Sequence, residues 1–397
     1  MSTENTGREP GFATGLALLL PITLSVMAIV LLAPVLPQLM AEFASVPGAD
    51  YLAPMVLTVP ALCVALLSPV AGILGDYFGR RRLLIASLVV YGIVGVAPVF
   101  LTDLHALIAS RVAVGAAEAL IMVLTTTLIG DFFSGATRDR WLAAQTSVAS
   151  LSALLFFNLG GWLGREGWRT PFWVYASALL MLVLVLRHTW EPPSPAKDVS
   201  VSWKGFPVAR FVGILLVTIF GSTLFYTVQI HASVGLDQLG LKDPARIGFL
   251  TSIASLGVPL GTFIYARVTG TRASRLLLVE FLALGIGFAL MSRATSATTF
   301  LVGCGINQIG AGMLLPTLLV WAMSQLHYEV RGRGAGLWNG AFSLGQWLSP
   351  IIVTFFSLRL GGFLASLSVL SYAALAAAAI ALLVNFRAAA PEAEAHG

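Results

Sequence analysis

The chain switches between long apolar runs and short polar breaks twelve times. In windows of about 19 residues, the runs fall near 13–36, 52–75, 83–102, 104–130, 141–164 and 170–186. A second set falls near 211–236, 247–266, 276–292, 294–326, 334–358 and 360–386. A helix rises about 1.5 Å per residue and bilayer hydrocarbon is about 30 Å thick, so runs of this length predict membrane-crossing helices.

Composition agrees. Of 397 residues, 57% are hydrophobic and 10% charged, with mean hydropathy +0.89. Soluble domains carry about a quarter charged residues, so the expected class is an all-α membrane protein whose main solvent is the lipid bilayer. The net charge of +5 does not imply a nucleic-acid partner, because the basic residues sit in short loops and form no patch interleaved with aromatics. Cys63 and Cys304 lie inside apolar runs, as packed thiols rather than a disulfide or metal pair. No metal or cofactor is expected. The polar start MSTENTGREPG lacks the basic region of a signal peptide, and the long first run reads as a retained span.

Loop charge sets the expected orientation. Sixteen of the 23 Lys and Arg residues fall on the side that holds both termini if spans alternate, which places that side in the cytoplasm. The longest connection on that side, with Pro192, Pro193, Pro195 and Pro207, divides the chain. The expected organisation is a cytoplasmic tail (1–12), a six-helix bundle (13–190), a cytoplasmic loop (191–209), a second six-helix bundle (210–387) and a tail (388–397). A weak repeat supports the division: Arg138-Asp139-Arg140 follows span 4, and Arg331-Gly332-Arg333 follows span 10.

Three full charges lie within the predicted spans: Arg111 and Glu118 in span 4, and Glu280 in span 9. Each costs at least about 2.5–3.5 kcal/mol near the bilayer centre, so it is expected to face a cavity or a partner. Seven positions put Arg111 and Glu118 on one helix face, about 10 Å apart along the axis. A carboxylate poised between burial and a guanidinium could load and release a proton; the same pair could equally be a fixed charge network. Glu280, about a turn inside its span, is expected to pair with Arg272 or Arg275 or to turn toward the interface. His231 is expected at the interface near the end of span 7, and Trp321, Trp338 and Trp347 as packing or interface residues.

Span 2 closes with Gly72-Ile73-Leu74-Gly75-Asp76-Tyr77-Phe78-Gly79-Arg80-Arg81-Arg82. This segment resembles the signature loop of the major facilitator superfamily (MFS), with Gly72, Asp76, Gly79, Arg80 and Arg81 in the recurring places. Leu107, Arg111, Gly115, Ala116 and Ala117 in span 4 resemble the family's arginine motif. The resemblance implies an MFS fold, twelve transmembrane helices in two pseudo-symmetric six-helix bundles. It also implies an inner-gate latch in which Asp76 meets the start of span 11 and Arg80 pairs with Asp131. The matching stretch of the second half, 261–275, has Tyr265 near the place of the aspartate. Within the family the chain looks most like the twelve-span drug/proton antiporters. Their Gly-Pro-x-x-Gly-Gly motif appears here as Phe156-Phe157-Asn158-Leu159-Gly160-Gly161, with only the final glycine pair kept.

By the same resemblance spans 1, 4, 7 and 10 line the cavity, and Tyr226, Gln229, Asn307 and Gln308 become substrate-binding candidates. Such amides and phenols could equally bond neighbouring helices. Arg111 and Glu118 are the proton-coupling candidates. No ATP-binding loop is present, since Lys197, Lys204 and Lys242 follow Ala, Trp and Leu. An intramembrane enzyme would need clustered nucleophiles, bases or ligands, and a channel a ring of charge; neither pattern is visible. The expected function is secondary active transport by alternating access, as proton-coupled efflux of a lipophilic or amphipathic small molecule. The alternative is a proton-coupled importer of a sugar, carboxylate or nucleoside. The expected partners are substrate, protons and lipid, in a monomer with both termini cytoplasmic, in a bacterial inner membrane.

Overall fold

A computed structural model describes residues 9–192, 206–327 and 330–394, with the side chains of 331, 332 and 386–394 outside the description. Most of the central connection, and the side chain of Arg387, therefore lie outside the described residues.

The twelve expected spans are present. They run Phe12–Glu42, Ala49–Phe78, Arg80–Val99, Leu104–Phe132, Gly135–Glu166, Thr170–His188, Val208–Gln238, Pro244–Arg267, Ala273–Ser292, Ala297–Ser324, Arg333–Leu360 and Phe363–Asn385, and are numbered 1–12 below. Most extend past their apolar windows because polar residues finish the last turns, as Asp131 does in span 4. An even number of crossings puts both ends of the chain on one face, the terminal face.

Local chemistry sets the boundaries. Asp103 accepts from the Ala106 amide at 2.7 Å and starts span 4, and Ser296 does the same for span 10 through Thr299 at 3.2 Å. Spans 2 and 3 are separated only by Gly79, whose φ of 91° is a left-handed conformation that glycine tolerates. Span 1 is not one smooth helix. Short 3₁₀ segments at Leu20–Ile22 and Ala33–Val35 each hold a proline, which removes an amide donor and breaks the α pattern.

The packing repeats with a six-span offset. Spans 2 and 4, 3 and 4, 3 and 6, and 1 and 5 pack together in the first half, as do 8 and 10, 9 and 10, 9 and 12, and 7 and 11 in the second. Two hydrophobic cores follow this division, except that Ile230 of span 7 belongs to the first. The bundles meet along two long seams, span 5 against span 8 and span 2 against span 11, and span 1 also touches span 7. The offset exchanges the two seams, so they are related by the pseudo-twofold.

The seams differ in texture. A Cβ on Gly161 would run into the Pro244 carbonyl, and one on Gly248 into the Phe157 carbonyl. Spans 5 and 8 therefore touch backbone to backbone. The other seam places Gly340 against the Ala65 carbonyl and Thr354 Oγ1 at 3.2 Å from the Asp50 carbonyl. This antiparallel register sets Trp347 level with Thr58. Trp347 Nε1 and Thr58 Oγ1 are both buried without a hydrogen-bond partner.

Candidate functional site

Among the described residues, the charged side chains that are buried are Arg111, Glu118 and Glu280. Span 4 carries the first two because it packs closely on span 2: a Cβ at Gly115 would meet Pro60 and Cys63. That close approach draws both charges into the bundle.

Arg111 is 1% exposed and sits in an aromatic box. Its guanidinium lies 5.0 Å from the centroid of Phe172 and 4.9 Å from that of Tyr175, and Nη2 donates to the Gly95 carbonyl at 3.2 Å. Tyr91 stacks on Tyr175 at 5.4 Å and donates its hydroxyl to the Leu24 carbonyl at 2.7 Å. Spans 1, 3, 4 and 6 are thus joined through one cation. Cation–π contacts of this desolvated kind are worth about 2 kcal/mol. The sequence reading missed the box, because Phe172 and Tyr175 look like ordinary apolar positions of span 6.

Glu118 is 5% exposed, and its Oε2 is buried without a hydrogen-bond partner. It forms no ion pair with Arg111, whose Nη2 bonds a carbonyl while Nη1, like Glu118 Oε2, is buried without a hydrogen-bond partner. Cys63, Tyr91, Tyr175 and Tyr226 all lie within its electrostatic reach. Tyr226 belongs to span 7 of the other bundle, so the influence of Glu118 crosses the centre of the molecule. Tyr226 packs on Phe225 at 4.7 Å and Phe342 at 5.5 Å, and Phe342 stacks on Trp338 at 5.4 Å. Spans 7 and 11 are thus joined by an aromatic cluster around Tyr226.

The other three cavity candidates form a chain. Gln229 Nε2 donates to Gln308 Oε1 at 2.5 Å, Gln308 Nε2 to Asn307 Oδ1 at 3.3 Å, and Asn307 Nδ2 to the Leu284 carbonyl at 3.3 Å. The chain ties spans 7, 10 and 9 together and leaves Gln229 Oε1 unpartnered.

Two expectations need correction. Glu280 neither pairs with an arginine nor turns outward; it is wholly buried and accepts a hydrogen bond from Thr317 Oγ1 at 2.5 Å. Span 10 crosses its face and shields it from the interface. His231 is also internal, 3% exposed and stacked on Phe363 at 5.7 Å. The end of span 7 is capped by the start of span 12, so the expected interfacial exposure is lost.

The gate residues gather on the terminal face. Arg80 donates to Asp76 Oδ1 from Nε at 3.0 Å and from Nη2 at 2.8 Å, and to Asp131 Oδ2 from Nη1 at 2.6 Å. One guanidinium therefore joins the end of span 2 to the end of span 4. Arg81 reaches Thr189 Oγ1 and the Leu186 carbonyl, each at 3.1 Å. Glu191, missed in the sequence, accepts from the Arg81 and Arg82 amides at 3.1 and 3.2 Å, an acid on a helix N-terminus. Of the two remaining motif glycines, Gly79 makes the turn, whereas a Cβ at Gly72 would meet open space. The expected meeting of Asp76 with the start of span 11 involves positions 331 and 332, whose side chains lie outside the description.

Closure is built on the opposite face. Arg165 and Asp243 form an ion pair at 2.7 Å, Asn158 Nδ2 donates to Ser252 Oγ at 3.0 Å, and Thr354 reaches the Asp50 carbonyl. Each links the two bundles in the half of its span next to that face.

The profile of the Major Facilitator Superfamily matches residues 18–350. The tetracycline resistance protein of class G from Vibrio anguillarum is 29% identical over 299 residues, covering 70% of this chain and 73% of that protein. The class C protein from Escherichia coli is 27% identical over 359 residues, covering 84% and 87%. Among solved structures, a D-xylose-proton symporter superposes with a TM-score of 0.79 at 17% identity, covering 93% of this chain and 97% of that one.

Proposed function

Since the chain belongs to the Major Facilitator Superfamily, and is thus a multi-pass membrane transporter rather than an enzyme, we propose that it exports a lipophilic or amphipathic small molecule in exchange for protons. The observation that carries this reading is Glu118: a buried carboxyl with an unpartnered oxygen, set across from Tyr226 between the bundles. An unpaired carboxylate there is costly, while the same group bearing a proton is not. Substrate and proton can then compete for one place. In the alternating-access cycle the bundles, taken as 13–190 and 210–387, rock about that place, and Glu118 takes a proton when open to the outside and yields it to the cytoplasm.

The described conformation, closed at the face opposite the termini, is the inward-facing member of this cycle, with the terminal face in the cytoplasm of a bacterial inner membrane. Arg111 holds a fixed positive field beside Glu118 without neutralising it. Tyr226 and Gln229 contact the substrate from span 7, while Asn307 and Gln308 position Gln229. Arg80, Asp76 and Asp131 with Gly72, Gly79 and Arg81 form the cytoplasmic latch, and the protein works as a monomer.

Direction of transport is supported by the relatives. They are named for tetracycline resistance, and a transporter lowers the burden of a compound that acts inside the cell by moving it out. The second reading, proton-coupled import of a sugar, carboxylate or nucleoside, is supported by the fold shared with a D-xylose-proton symporter. At that identity the likeness concerns fold alone.

The deciding experiment measures ethidium, Hoechst dye and tetracycline accumulation in pump-deleted bacteria expressing the chain. Export predicts lower accumulation, lost on adding an uncoupler and lost in Glu118→Gln. If a confirmed, membrane-inserted Glu118→Gln protein still exports in an uncoupler-sensitive way, the role of Glu118 is refuted. If no compound is exported, a proteoliposome uptake screen of small organic solutes takes up the import reading.

A further inference from the structure

The closed face carries a crevice in which the transport site has no part. It holds about 280 Å³ and lies at the ends of spans 1, 7 and 8 farthest from the terminal face. Pro34, Pro37 and Ala41 of span 1 form one apolar wall, and Pro244 and Ile247 of span 8 the other. The first wall therefore belongs to one bundle and the second to its pseudo-symmetric mate. Three of the five are prolines, whose backbone torsion is fixed, so the walls are stiff. Small-molecule pockets run upward from about 300 Å³, which leaves room here for one ring with a short arm.

The polar groups of the crevice are Gln38, Asp237 and Lys242. Gln38 Nε2 donates to the Gly164 carbonyl at 3.1 Å, which fixes the amide and leaves Oε1 as an acceptor. Lys242 Nζ donates to Asp237 Oδ2 at 2.8 Å. Neither Gln38 Oε1 nor Asp237 Oδ1 accepts a hydrogen bond from a described residue. The Lys242 side chain is 70% exposed and that of Asp237 only 30%, so the lysine is a weakly held rim group and the carboxylate sits deeper. Two acceptors are thus open to a ligand. An ammonium ion has three donors and no acceptor and suits them, whereas an anion would have to approach the Asp237 carboxylate.

We propose that this crevice binds a compact organic ammonium ion, one apolar ring on a short aminoalkyl arm, and that the bound ion holds the face closed. The ring lies between the proline walls, and the ammonium group donates to Asp237 and Gln38. A phospholipid amine does not suit the crevice, because it carries a phosphate where proline and isoleucine stand. The two walls part when the Arg165–Asp243 pair separates, so the complete crevice exists only in the closed form. A ligand shifts such an equilibrium by its differential affinity for the two states. At ten times its Kd, a ligand of the closed form alone raises the closed-to-open ratio about tenfold. The ion arrives from the side opposite the termini and acts as an external brake on the cycle. That brake rests on the proposed function; binding and closure do not.

Spin-label distances across this face of the purified full chain test the proposal, with cyclohexylmethylammonium as the probe. In wild type and in Arg165→Ala, saturating probe should raise the closed-to-open ratio about tenfold, and cyclohexanecarboxylate should leave it unchanged. Ala41→Leu, which fills the crevice, and Asp237→Asn, which removes its charge, should each abolish the response. No shift with the ammonium ion, or an equal shift with the carboxylate, overturns the proposal. So does a shift that survives both substitutions, because the ion then acts elsewhere, as in the central cavity. Should Asp237→Asn not fold, Ala41→Leu decides alone, since Ala41 is exposed. For the brake, external probe should slow dye export in wild type and not in Ala41→Leu. If the distances shift but no compound is exported, the proposed function fails and the crevice stands. If export is normal and no distance shifts, the crevice alone fails.

Discussion

Arg165 grips Asp243 with two parallel hydrogen bonds, Nε to Oδ1 at 3.0 Å and Nη2 to Oδ2 at 2.7 Å, and so pins span 5 of one bundle to the cap of span 8 in the other. The pair must separate whenever the opposite face opens. Its side chains are 54% and 37% exposed, so its contribution is modest and falls with salt. Arg165→Ala should raise the share of molecules open at that face, read as spin-label distances across it, and the swap Arg165→Asp with Asp243→Arg should restore it.

The same pair predicts an acid response. The Arg165 hydrogen bond, helped by the Ala245 amide, holds the Asp243 carboxyl below the usual carboxylate range. A depressed value in the closed form means its contribution is complete above about pH 4, the unperturbed aspartate value, and is lost as pH falls through the lowered one. Wild-type distances should widen below about pH 4, while Arg165→Ala should show no such step. A step of equal size in both would mean that another group controls the face.

Arg111→Lys tests whether the aromatic box needs a guanidinium or only a charge. An ammonium cannot lie flat against Phe172 and Tyr175 while bonding the Gly95 carbonyl. A loss of about 1.5–3 kcal/mol is expected, on the scale of a hydrogen bond to a charged group, seen as a lower unfolding temperature in detergent. A Lys variant of wild-type stability and transport would show that the stacking is incidental.

Replacing Gly161 or Gly248 by alanine puts a methyl group against a backbone carbonyl that cannot rotate away. Overpacking of this type costs about 1–3 kcal/mol. Either variant should push spans 5 and 8 apart, and a cysteine placed along that seam should react faster with a water-soluble maleimide. Gly213→Ala, which meets open space, is the control and should behave as wild type.

Gln308→Leu removes the middle of the amide chain, leaving the Gln229 amide and Asn307 Oδ1 unpaired. Hydrogen bonds between membrane helices are worth about 0.6 kcal/mol on average, so a small fall in stability is expected. Substrate affinity should fall further than stability, because Gln229 loses its fixed orientation. Equal losses in both would make the chain a helix tie alone.

The sequence disclosed the twelve crossings because hydropathy is a local signal, and it disclosed Arg111 and Glu118 because charge in a span is conspicuous. The Arg80–Asp131 bond was legible only through the family resemblance, since 51 positions separate the partners. What surrounds each charge was not legible. Phe172 and Tyr175 carry no mark that separates a cation box from ordinary packing, and nothing near Glu280 announces Thr317, 37 residues away. The length of span 9 suggested that Glu280 could reach an arginine near its end, but which face of a helix meets a neighbour is fixed by tertiary packing.

The unlike seams change what the pseudo-twofold means for motion. Where spans 5 and 8 meet at Gly161 and Gly248, backbone lies directly on backbone. Across the molecule, Trp347 sets a bulky ring at the level of Thr58. A symmetric architecture is thereby given one seam of bare backbone and one that carries a bulky ring at mid-depth.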